Sequence, residues 1–223
     1  MLKSASRGKN ISEDFETEVE EDFEEEKNEY NFTSILNKNA AENRRIYLWG
    51  EVTENTAISV ISQLHYFAEE NNNPVQLVIH STGGELDAGL AIIDEMMAVQ
   101  NSGIIVNTIV TGKAYSAAAL ILLMGSTGYR WARTNASIML HPVSYGMGAD
   151  YSDYQEKMTV FFKSKNKELN EMVGKKIGLK TAKQLKGFIS DIDKGLWLSP
   201  QEALDRKIID KIIYSKLPVN KGR

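Results

Sequence analysis

The chain has 223 residues, 42% of them apolar, and a formal net charge of −4. That length suits one globular domain with appendages, and the apolar share is enough for a sizeable core. The absence of cysteine excludes disulfides, thiolate metal sites and cysteine nucleophiles, and it fits a reducing, cytoplasmic compartment. No apolar run approaches the roughly 18 residues of a membrane span, and no leader with a basic start and an apolar centre is visible. A soluble, unexported protein is therefore expected.

In chain order, residues 1–30 come first and are acidic, with 11 carboxylates against 4 basic residues. The rest of the chain is left with a net charge of +3. Too few apolar side chains lie among the carboxylates of Glu18 to Glu29 to offset the entropy of ordering them. This arm is expected to be disordered, or to order only against a partner. From residue 31 a single domain is expected. Ile46-Tyr47-Leu48-Trp49 reads as a short buried strand closed by Gly50. Thr53 caps a helix whose apolar positions Ile58, Ile61, Leu64 and Phe67 recur at helical spacing, until Asn71-Asn72-Asn73-Pro74 stops it. Val75 to His80 is a second strand, and Ser81-Thr82-Gly83-Gly84 a tight turn. Leu86, Leu90, Ile93 and Met97 mark another helix. Ile104 to Val110 is a third strand, followed by Gly112 and a helix of small residues from Ser116. Tyr129 to Trp131 and Ser137 to Leu140 read as short strands. Residues 151–173 form a long amphipathic helix within a region spanning about 144–178. Helix, strand, helix and strand then follow over Thr181 to Ile189, Leu196 to Leu198, Pro200 to Arg206 and Ile208 to Ile213. Strands alternating with helices of this length predict an α/β fold with mainly parallel pairing.

Three strands end in glycine-bearing turns, at Gly50, Gly83-Gly84 and Gly112, and strand ends face the ligand crevice in such folds. In Thr111-Gly112-Lys113-Ala114-Tyr115-Ser116-Ala117 a serine opens a helix, where backbone N–H groups and the helix dipole favour negative charge. A helix-capping serine would look the same. A nucleophilic serine also needs a base. Of the three histidines, His65 lies inside a helix, while His80 and His141 both end strands. Asp191 and Asp193, placed in a turn, are candidate orienting acids. Spacing alone chooses neither between the two histidines nor between the two acids. Consecutive glycines can bring N–H groups close to a reacting carbonyl. No dinucleotide fingerprint, phosphate loop or metal-ligand spacing occurs. No basic patch with interleaved aromatics points to nucleic acid.

Together these segments resemble the proteolytic subunit of the Clp protease. The resemblance runs, in order, through Arg45-Ile46-Tyr47-Leu48-Trp49-Gly50-Glu51-Val52, Ile79-His80-Ser81-Thr82-Gly83-Gly84, Gly112 to Ala118, Asn135 to Pro142, Leu198-Ser199-Pro200-Gln201-Glu202-Ala203 and Ile208-Ile209-Asp210. It implies the spiral of ββα units shared with the crotonases, with a long handle helix joining two stacked rings of a homo-oligomer. It implies a serine endopeptidase with Ser116 as nucleophile, His141 as base and Asp191 as orienting acid. The backbone N–H groups of Gly84 and Ala117 would bind the oxyanion, and Gly146, Met147 and Gly148 would pair with an extended peptide or unfolded-protein substrate. It implies no cofactor, and an unfoldase ATPase of the AAA+ class as partner. The chain departs from the family in having His80 for asparagine, Thr82 for proline, Pro142 directly after the histidine, and an acidic arm where the family has an apolar axial hairpin. Two other readings keep the fold: an acyl-CoA enzyme of the crotonase type, and an inactive assembly subunit.

Overall fold

The computed structural model describes residues 38–143 and 152–214. The acidic arm and the expected substrate strand Gly146-Met147-Gly148 lie outside the described residues. The compact unit that begins at Ala41 is a mixed α/β structure. It runs β1 (Arg45–Val52), α1 (Glu54–Glu70), β2 (Val75–Gly84), α2 (Leu86–Asn101), β3 (Val106–Tyr115), α3 (Ala117–Leu123), β4 (Arg130–Arg133), β5 (Ser137–Leu140), α4 (Ser152–Lys176), α5 (Ala182–Ile192), β6 (Leu196–Leu198), α6 (Pro200–Asp205) and β7 (Lys211–Ile213).

The helices begin where side chains satisfy their free N–H groups. Thr53 and Thr56 form a reciprocal capping box on α1. Thr181 with Gln184, and Ser199 with Glu202, do the same for α5 and α6, each such cap being worth about 1 kcal/mol. The sheet is parallel in the order β1-β2-β3-β4-β7, and its strands are apolar enough to be covered on both faces. Ile46, Leu48, Leu77, Ile79, Ile92, Met96, Ile121 and Leu122 are fully buried at its centre.

Two irregularities shape the end of the sheet that carries the site. The β1–β2 register shifts between Trp49 and Glu51, and the β2–β3 register shifts between Ile79 and Ser81. The strands do not stop at their glycines, as the sequence reading expects. They bulge and continue, so that β2 reaches Gly84 and β3 reaches Tyr115. β3 therefore serves two neighbours. Its first half pairs with β4 through Thr108 to Val110, and its second half pairs with β5 through Lys113 to Tyr115. β5 in turn pairs antiparallel with β6.

Other expected boundaries move as well. The strand expected over Ile208 to Ile213 is limited to β7, because the N–H groups of Ile208 and Ile209 close the end of α6 on the Ala203 carbonyl. α5 runs on to Ile192, so Asp191 lies in its last turn and Asp193 at its C-cap, not in a following loop. The C-terminal half of α4 packs on its own domain, burying Leu169, Val173 and Ile177, whereas Val160 and Phe161 nearer its start are more than half exposed.

Candidate active site

Ser116 sits between the end of β3 and the start of α3 with φ +54 and ψ −125. A non-glycine residue at positive φ costs about 1–3 kcal/mol and persists only when its surroundings hold it there. Here the restraints are visible. The Ser116 N–H donates to the Met139 carbonyl at 2.8 Å. Tyr115 is paired in register with Met139, and its hydroxyl hydrogen-bonds Ser137 Oγ at 2.7 Å. Ala117, Ala118 and Ala119 are buried, so the first turn of α3 packs closely and has no freedom to rotate the serine away.

The glycine turn of β2 is pressed against this elbow. A Cβ on Gly83 would lie 2.5 Å from the Tyr115 carbonyl oxygen and 2.8 Å from Ser116 Cβ. Gly83 also has φ +85. Both the conformation and the space demand glycine. At Gly84 an added Cβ would strike the Val52 carbonyl. Buried Ser81 holds the turn by accepting the Gly83 N–H at 3.0 Å.

His141 follows β5 directly, one strand away from Ser116. Ser116 and His141 line the same cavity of about 440 Å³, together with Gly84, Ala117, Leu86, Leu120, Phe161 and Phe162. Neither Ser116 Oγ nor the His141 ring makes a hydrogen bond among the described residues. Catalytic hydrogen bonds commonly tighten only once substrate is bound.

Asp191 is not in that cavity. Its Oδ2 accepts from Arg206 Nη1 at 2.7 Å, with both side chains 42% exposed. It lines a separate hollow with Phe188, Asp205, Arg206 and Lys207. Of the three residues that the sequence argument joins, two share a cavity and the third is held elsewhere by an ion pair.

The other two histidines have structural contacts. His65 bridges α1 to α2 through Glu95 at 2.6 Å. His80, read from sequence as a possible lining residue, does not line the cavity. Its ring stacks on Trp49 at 4.4 Å, and its Nδ1 lies 2.8 Å from the Thr111 carbonyl. A carbonyl cannot donate, so Nδ1 carries the proton. A Cβ on Gly112 would lie 2.5 Å from this nitrogen, and Gly112 has φ +74. His80 thus ties the start of the β2 glycine turn to the turn of β3 that leads to the serine. Sequence reading missed the cavity-lining carboxylates Glu54, Glu85 and Asp87. The one signal for them was the preference of acids for the first turn of a helix.

The fold and the cavity define a class: an α/β protein with a serine and a histidine at the carboxyl ends of adjacent parallel strands, beside a glycine turn. Residues 25–216 match the Clp protease family. The chain belongs to that family, which is one of serine peptidases.

Proposed function

We propose that the protein is a serine endopeptidase in which Ser116 is the nucleophile and His141 the general base. The observation that carries this reading is the constrained Ser116 elbow sharing one cavity with His141. Ser116 Oγ attacks the peptide carbonyl carbon while His141 takes the hydroxyl proton. The C–N bond then breaks, and His141 returns the proton to the leaving amine. Water, activated by the same histidine, releases the acyl group. The backbone N–H groups of Gly84 and Ala117 stabilise the oxyanion, a role open to any residue type and so compatible with alanine after the serine. No cofactor enters this chemistry.

Asp191 completes the triad in this proposal. Its role requires the carboxylate to exchange Arg206 for His141. An exposed ion pair is worth only about 0–1 kcal/mol, so the Arg206 pairing itself opposes that exchange little. The Arg206 pairing also favours a second reading, a silent assembly subunit of the same fold. Substrate is an extended peptide or an unfolded protein. Assembly into stacked homo-oligomeric rings is supported by the exposed apolar stretch of α4 at Val160 and Phe161. Gly146, Met147 and Gly148 would pair with the substrate backbone. Docking of an unfoldase would fall to the acidic residues 1–30, which replace, in sequence, the family's apolar hairpin.

The test is hydrolysis of fluorogenic peptides by the wild type, Ser116→Ala and His141→Ala. The proposal predicts turnover by the wild type and near-complete loss in each variant, because triad members act as a unit. Turnover that survives Ser116→Ala would refute it. No turnover by the assembled wild type would support the silent subunit.

A further inference from the structure

Among the described residues, the cavity that holds Ser116 and His141 is lined by three carboxylates, Glu54, Glu85 and Asp87, and by no lysine or arginine. This sign is local. Residues 31–223 are net positive by three charges, yet the described wall of the cavity shared by serine and histidine is acidic. None of the three carboxylates makes a hydrogen bond or ion pair among the described residues.

Helix capping does not account for them fully. Glu54 and Asp87 lie in the first turns of α1 and α2, where the helix dipole welcomes an acid. Glu85 occupies the N-cap position of α2 but makes no capping hydrogen bond. Each helix start contributes about half a positive charge. Three such ends, those of α1, α2 and the short α3, against three carboxylates still leave a negative excess at the cavity. The remaining walls are apolar, from Leu86, Leu120, Phe161 and Phe162. Apolar walls leading to carboxylates match a long aliphatic stem that ends in a cation.

We infer that this cavity selects peptides carrying lysine or arginine next to the scissile bond. The inference rests on the proposed serine peptidase reading and adds a substrate class to it. The stem of the basic side chain lies along Leu86, Leu120 and Phe162, and its cation is shared among Glu54, Glu85 and Asp87. These carboxylates are exposed, so the preference is moderate, about tenfold, and it falls as salt screens it.

The experiment uses the full-length protein and two peptidyl diphenyl phosphonates that differ in one side chain, aminobutyl against butyl. Rates of covalent attachment to Ser116 are followed by intact mass at low and high salt. The aminobutyl probe is expected to react about tenfold faster at low salt. Glu85→Gln, Asp87→Asn and their combination with Glu54→Gln should bring the ratio stepwise toward one. Equal rates in the wild type, with labelling intact, overturn the inference and leave the peptidase reading standing. A preference that persists in the triple variant also overturns it, and assigns the selectivity to the acidic residues 1–30, which are unchanged in every variant. Absence of labelling by both probes removes the peptidase reading and this inference together.

Discussion

At Ser116 the backbone holds a conformation that serine adopts only under restraint; the Met139 carbonyl and the buried first turn of α3 supply the restraint, and glycines in a different strand leave room for the elbow. Gly83 is the clearest case. Replacing it with alanine forces a Cβ into the Tyr115 carbonyl and Ser116 Cβ. Gly83→Ala is therefore expected to abolish most peptide hydrolysis by moving the elbow, while circular dichroism shows the fold retained. The acid can be assigned by comparison. Asp191→Asn is expected to be severe and Asp193→Asn mild in kcat/KM. The reverse order would move the acid two residues along the chain. His80 is a positioning residue in this account, so His80→Asn should keep substantial activity where His141→Asn keeps almost none. The reverse ranking would make His80 the base. The positions of the serine, the glycines and the two strand-end histidines were legible from sequence, because strand ends, turn glycines and helix starts leave local marks; the preference for His141 over His80 came from the family resemblance alone. The contacts of His80 were not legible. Its stacking on Trp49 depends on the β1–β2 register, and that register shifts by a bulge no local pattern records.

Among the elements, the short C-terminal strand β7 is held less by its own length than by one side chain beside it. Asp210 accepts from Arg130 Nε at 2.8 Å and Nη2 at 2.5 Å, and from the backbone N–H groups of Gly128 and Arg130. Burial pushes the Asp210 carboxyl up, but the hydrogen bonds and charge of Arg130 and the Gly128 N–H outweigh it and leave it below its ordinary value. A carboxyl lowered on folding contributes stability above its unfolded pKa and loses it as pH falls through the folded one. The protein is thus expected to lose this contribution only under acid conditions, below the ordinary carboxylate range. Asp210→Ala should cost about 3 kcal/mol at neutral pH, since it leaves the nearly buried Arg130 without its partner. Thermal unfolding across pH reads both: the variant should be less stable at neutral pH, with the difference narrowing in acid. An equal difference at all pH values would show that Asp210 acts by packing alone. Sequence reading placed a strand over this segment from its apolar run Ile208-Ile209. It missed that both N–H groups finish the preceding helix, because apolar residues at a helix exit and in a strand look alike.

For the whole molecule, the long helix α4 divides in two. Its C-terminal half is anchored in its own core, and its other half shows Val160 and Phe161 to the outside. Periodicity revealed the helix but not which half faces its own domain, since that depends on where α5 packs. The proposed homo-oligomer covers this exposed stretch. Light scattering at micromolar concentration is expected to give a mass many times that of one chain, and Val160→Glu should lower it. A stable wild-type monomer would contradict the enclosed-chamber account. The proposed function stands on the chemistry of one residue, Ser116. Its most direct measurement is intact-mass analysis after reaction with a fluorophosphonate probe. One adduct per wild-type chain, located on Ser116 and absent from Ser116→Ala, is the predicted result. An unmodified wild-type chain, or an adduct that persists in Ser116→Ala, would contradict the account.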